Sequence, residues 1–170
     1  MKKILFILTL ACGLMAAQAQ NADLKKTVED GIKTSIQQTE NREWKEAFAT
    51  CRTLDGMIAV EEQKTKKAAP ELHYLVSKER LRMYMRLSNK QKECQEQPAK
   101  MEDWAQKANS NEVSEDLLMS KAGYYQKFGM NDKSLQCYKQ LVQRRSQGKD
   151  EQGVDKCYQD MLAQAKTGKN

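Results

Sequence analysis

The chain has 170 residues, with 29 Lys and Arg against 23 Asp and Glu, a formal net charge of +6 and a single His. Only 8 Gly and 2 Pro interrupt a composition rich in Lys, Glu, Gln, Ala, Leu and Met, which favours helix almost throughout. One histidine, His73, excludes His-based metal clusters, and no CxxC, HExxH, GxGxxG or Walker loop occurs, so no cofactor, metal or catalytic site is expected.

The first twenty residues, MKKILFILTLACGLMAAQAQ, place Lys2 and Lys3 before an apolar run that ends in small residues. This is the layout of a secretory signal peptide, residues 1–19, with cleavage expected after Ala19. The apolar run is too short and wrongly flanked for a membrane span, and no later stretch reaches ~18 apolar residues. Leu10-Ala11-Cys12 is similar to the end of a lipobox, which makes lipidation at Cys12 the alternative. Against it, Thr9 stands where Leu is usual and apolar residues continue past Cys12. The expected location is the periplasm or the exterior. Loss of Lys2 and Lys3 with the leader lowers the net charge from +6 to +4, and export disfavours a nucleic-acid partner. The remaining residues, 20–170, suffice for one domain.

Seven helices are predicted. The first, 22–39, carries Leu24, Val28, Ile32 and Ile36 at four-residue spacing. The second follows Asn41 as its cap and places Trp44, Ala47, Phe48, Cys51, Leu54 and Ile58 on one face, with Gly56 inside it. After a polar connector at 64–69, Pro70 suits the first turn of a third helix, 70–87. That helix has two apolar sides, Leu72, Val76 and Met83 on one and Ser77, Leu81 and Tyr84 on the other, as an interior member of a stack requires. Ser88-Asn89 breaks the chain. A fourth helix then runs to Ala108 through Pro98, because Cys94, Pro98, Met101, Ala105 and Ala108 keep one helical phase.

The fifth helix, 113–128, ends at Gly129. The sixth, 132–145, is expected to be capped by Asn131 and to bury Leu135, Tyr138, Leu141 and Val142. A seventh, 150–166, follows with Val154, Cys157, Tyr158, Met161 and Ala165. The breaks at Asn41, Ser88-Asn89 and Gly129-Asn131 each divide a pair of helices. Cys51, Cys94 and Cys137 fall in the second member of successive pairs, 43 residues apart both times. The pattern predicts three stacked hairpins, about 22–63, 70–108 and 113–145, and one closing helix, 150–166.

The segment Leu117–Leu141, LLMSKAGYYQKFGMNDKSLQCYKQL, resembles a tetratricopeptide repeat. Ala122, Tyr125, Gly129, Ser134 and Tyr138 meet the motif's demands for small, aromatic and turn positions in order, with Leu118 and Leu141 at flanking core sites. Trp44-Lys45-Glu46-Ala47 is similar to the opening of a second repeat helix. The 43-residue period exceeds the ~34 of the family. More narrowly, LHYLVSKERLRMYMRLSNKQKECQEQ and its surroundings resemble the exported repeat region of bacterial membrane-bound sensor-regulators. The resemblance implies an all-α right-handed superhelix of antiparallel hairpins and a non-catalytic scaffold that binds a protein or peptide. The alternatives are a structural or accessory subunit of an envelope assembly, or a stand-alone sensor-like fragment.

Two residue sets stand out. Lys78, Arg82 and Arg86 recur every four residues as one stripe. In the resembled family the first helix of each pair lines the concave surface, which implies a groove formed by Lys78, Arg82, Met85 and Arg86 together with Met119, Gln126 and Lys127. Long cations beside soft methionines suit an acidic or carboxylate-ended peptide; an ordinary solvated charge stripe is the other reading. Cys137 and Cys157 lie 11 and 9 residues from a loop centre near Gly148, so antiparallel packing would bring them level. A Cys137–Cys157 disulfide is weighed there against small buried thiols. His73 is read as a helix surface or interface residue.

Overall fold

A computed structural model describes residues 23–146 of the chain. The expected leader with Cys12, and the expected closing helix 150–166 with Cys157, lie outside the described residues. Every regular element among the described residues is helical. They are α1 (residues 23–40), α2 (Trp44–Thr65), α3 (Pro70–Tyr84), a short 3-10 turn (Ser88–Lys90), α4 (Gln91–Ala108), α5 (Asn111–Lys127) and α6 (Asn131–Ser146). None of these helices is long and apolar enough to cross a membrane. The chain divides into two compact units, one ending at Arg80 and the next beginning at Leu81.

In the first unit α1 and α2 run antiparallel, with Gly31 against Leu54, Ser35 against Cys51 and Gln38 against Thr50. A Cβ built at Gly31 would stand 2.6 Å from Leu54 Cδ2, so a larger residue there would require the Leu54 side chain to move. Val28, Ala47, Cys51, Leu54 and Ile58 are buried in this unit, and Trp44 and Phe48 are half-buried. The turn between the helices is closed by backbone alone. Glu43 N–H donates to Gln38 C=O at 2.8 Å and Arg42 N–H to Thr39 C=O at 3.2 Å, with Arg42 left-handed at φ 65°. That pair of bonds is a Schellman closure. Asn41 therefore does not cap α2 as expected. Its own N–H still belongs to the end of α1, donating to Gln37 C=O at 3.0 Å, and α2 begins after Glu43 without a side-chain cap.

Pro70 opens α3, where its lack of an N–H is harmless. Leu72, Tyr74, Val76, Ser77, Glu79, Leu81 and Met83 are all buried, so α3 is dry on more than one side, as its sequence predicts. The helix stops at Tyr84, three residues short of the predicted end. α4 runs unbroken through Pro98 and buries Cys94, Gln97, Pro98, Met101 and Ala105. A proline removes one ladder bond, but a single apolar face kept in phase across it holds the helix together.

In the second unit α4 packs on α5 and α5 on α6. α5 starts two residues earlier than expected because Ser110 caps it, its hydroxyl accepting from Val113 N–H at 3.5 Å. The α5–α6 turn repeats the closure seen after α1. Met130 N–H donates to Tyr125 C=O at 2.8 Å and Gly129 N–H to Gln126 C=O at 3.1 Å, with Gly129 at φ 71°. Past the turn, Ser134 Oγ donates to Ala122 C=O at 3.0 Å, and both residues are buried. The expected burial of Leu135 is wrong: it is 52% exposed, and α6 turns Ser134, Cys137 and Leu141 inward instead. Spacings of three and four residues put those side chains on one face, while Leu135 lies about 100° round from Ser134. Tyr138 and Val142 are half-buried at its edge.

Candidate functional site

The three expected interhelix turns are not alike. Those after α1 and α5 close on a left-handed residue, Arg42 and Gly129. The one after α3 has no such residue. Met85 N–H still bonds Leu81 C=O at 3.0 Å, then Arg86 N–H takes Met83 C=O at 3.0 Å and Leu87 N–H takes Tyr84 C=O at 3.1 Å. The backbone tightens by three-residue steps into the 3-10 turn at Ser88–Lys90 instead of reversing at once. This longer passage frames a cleft of about 390 Å³ within the second unit.

Met85, Leu87, Phe128 and the buried Cys94 give the cleft its apolar surface, and Ser88 and Gln91 give it neutral polar groups. Phe128, the residue just past α5, stays 42% exposed, with its ring 5.0 Å from that of buried Tyr124. Arg86 also lines the cleft. Lys127 precedes Phe128 and lies near enough to Cys94 for its charge to act on the thiol; burial pushes that thiol up, and Lys127 partly opposes it. Between Tyr84 and Cys94 the one acidic residue is Glu93, which is taken up by Lys90 at 2.6 Å. Arg86 and Lys127 have no carboxylate partner among the described residues.

Of the residues assigned to a binding groove from sequence, the cleft gathers Met85 and Arg86 on its lining, with Lys127 beside it. Lys78, Arg82, Met119 and Gln126 do not line it. Lys78 falls in the first unit and the other three in the second. The four-residue stripe breaks because α3 ends at Tyr84, leaving Arg86 in the turn rather than on the helix. Phe128, Leu87 and Gln91 were not singled out from sequence. Phe128 reads there only as the last residue of the fifth helix, and nothing local marks it as exposed.

A second cluster lies in the first unit. Arg80 Nη2 is 2.5 Å from Asp55 Oδ2, and His73 Nε2 is 3.2 Å from Glu62 Oε2 with its Nδ1 4.0 Å from Asp55 Oδ1. Glu62 Oε1 also accepts Ala69 N–H at 2.7 Å. Burial pushes the Glu62 carboxyl up, but the bonds from Ala69 and His73 outweigh it and hold the group below its ordinary value. His73 is thus an interface residue between α2 and α3. Deeper in, Ser35 Oγ donates to Glu79 Oε1 at 2.9 Å and lies 3.8 Å from Cys51 Sγ. Burial pushes the Cys51 thiol up to about 11, which leaves it protonated and unreactive. Among the described residues no group of three His, Cys, Asp or Glu side chains is placed to hold a metal ion. Cys137 is buried, and its expected partner Cys157 is outside the described residues.

No protein-family model matches the chain, and neither the curated proteins nor the solved structures contain a significant match to it.

Proposed function

We propose that this chain is an exported, non-catalytic scaffold of tetratricopeptide type that binds a protein or peptide partner in the periplasm or outside the cell. The observation that carries the reading is the α5–α6 hairpin. Ala122 and Ser134 sit buried where the two helices cross, joined by a 3.0 Å hydrogen bond, and Gly129 reverses the chain between them. Small residues at a crossing and a left-handed glycine at the turn are what a repeat of this type needs, since any larger side chain would force the helices apart. Cys51, Cys94 and Cys137, buried in α2, α4 and α6, support a repeated unit of 43 residues. Hairpins of this kind bury their faces on one another, in this reading as a right-handed superhelix.

A partner, not a reaction, is the expected output, and no cofactor or metal enters the scheme. The test is capture: chain purified from the periplasm of an expression host is immobilised and exposed to envelope extract. A defined protein retained by the wild-type chain supports the reading, and no specific retention removes it. The alternative, an accessory subunit of an envelope assembly, draws on Val60 and Leu135, exposed at 64% and 52% on α2 and α6. Light scattering separates the two, because a stable oligomer favours assembly and a monomer favours capture.

A further inference from the structure

The cleft after α3 differs from an ordinary surface depression in the balance of what surrounds it. Its walls are apolar or neutral apart from Arg86, no carboxylate lines it, and the nearest acid in sequence is already paired. Two cations at its edge, Arg86 and Lys127, lack a counter-charge among the described residues, while a large aromatic ring remains in solvent beside them. At about 390 Å³ the cavity falls within the ~300–1,000 Å³ typical of ligand sites and has room for one or two side chains. An occupant complementary to it needs an apolar group to cover Phe128 and Leu87 and an anion within reach of Arg86.

We propose that this cleft anchors an internal acidic segment of the partner, an apolar side chain entering against Met85, Leu87 and Phe128 while a neighbouring side-chain carboxylate meets Arg86 and Lys127. The proposal rests on the scaffold reading and adds the chemistry of what is bound. Met85 is unbranched and adapts to the entering group, and a guanidinium on a turn can present two parallel N–H donors to a carboxylate. Ser88 and Gln91 supply neutral donors and acceptors for the segment's backbone.

The test uses a fluorescein-labelled peptide carrying Glu-Leu-Glu, acetylated and amidated so that its carboxylates are all on side chains, with anisotropy as the readout. Two control peptides replace both Glu by Gln, or Leu by Ser. Each control is expected to bind at least 5-fold more weakly. Arg86→Glu combined with Lys127→Gln, the latter chosen to spare the C-terminal end of α5 a negative charge, is expected to weaken binding at least 10-fold and to remove most of its salt dependence. Gln91→Trp, an exposed residue enlarged to fill the cleft, is expected to weaken it at least 5-fold with the charges intact. Thermal melts show that each variant is folded. Equal binding of the three peptides, or binding untouched by both variants, overturns the proposal. A dimer that these variants dissolve also overturns it, by making a second copy of the chain the occupant. If the envelope partner is still captured by the cleft variants, the scaffold reading stands and the cleft assignment falls; if the wild type captures nothing, the scaffold reading itself fails.

Discussion

Arg80 meets Asp55 seven residues along α3 from where His73 meets Glu62, itself seven residues along α2 from Asp55. Two turns of helix separate the contacts on both α2 and α3, so one antiparallel register serves both. Seven residues return a side chain to nearly the same face, and the two cross-links therefore fix α2 against α3 in both sliding and rotation.

Glu62 makes that register sensitive to acid. Its carboxyl is held below the ordinary value of 4.5, so between the folded and unfolded values the folded chain binds fewer protons. Stability from this group is full above about pH 4.5 and is lost as pH falls through the lower folded value. Glu62→Gln keeps an oxygen for Ala69 N–H and removes the titration. It is expected to flatten the acid limb of a stability profile between pH 3 and 6, at an overall loss of about 1 kcal/mol at neutral pH. Urea titrations across that range check this, and an unchanged acid limb contradicts it.

The crossing of α5 and α6 gives a second expectation. Ser134→Ala removes one buried hydrogen bond at nearly constant volume and is expected to lose about 1 kcal/mol. Ala122→Leu instead forces bulk between backbones in close contact and is expected to lose 2–3 kcal/mol, roughly the upper range for overpacking. Denaturant midpoints distinguish the two, and a neutral Ala122→Leu would mean that the helices do not touch there.

Glycines supply a pair of opposite signs. Gly56 lies exposed within α2 with nothing within 4 Å of a Cβ, so Gly56→Ala should stabilise by roughly 0.5–1 kcal/mol through helix propensity. Gly129 sits at φ 71°, and Gly129→Ala should destabilise by about 1 kcal/mol or more. Thermal melts of the two variants moving in the same direction would contradict the turn geometry.

Gly31 and Leu54 form a coupled pair. Gly31→Ala alone drives a methyl against Leu54 and is expected to lose about 1 kcal/mol despite better helix propensity. In a Leu54→Ala background the same change becomes neutral or favourable, because the obstruction is gone. A double-mutant cycle with no coupling energy would rule out the close approach.

The helices were legible because each carries apolar residues in phase, and Pro98 illustrates the strength of that signal: the periodicity continued across it and so did α4. The small pair Ala122 and Ser134, and the turn at Gly129, were also legible, since glycine and small residues at fixed offsets encode local geometry. What sequence could not show is anything set by the register between helices. Asp55, Glu62 and Arg80 look like ordinary surface charges until α2 and α3 are laid side by side. Leu135 reads as core by composition, yet Ser134, Cys137 and Leu141 occupy the inward face, and Ser134 is the residue that meets Ala122 at the crossing. The cleft was half visible: Met85 and Arg86 were picked out by type, but their place off the helix follows from where α3 stops, and boundaries are the least determined part of any helical pattern.

Arg42, Lys66 and Asn109 hold left-handed backbone without being glycine, at φ 65°, 57° and 48°. Each carries a strain that a glycine would relieve, by roughly 0.5–1 kcal/mol where the side chain makes no compensating contact. Mutational drift thus has three routes by which this fold can regain robustness, none of them at a residue that lines the cleft. A lineage that took them could absorb destabilising changes elsewhere in the chain without losing its architecture.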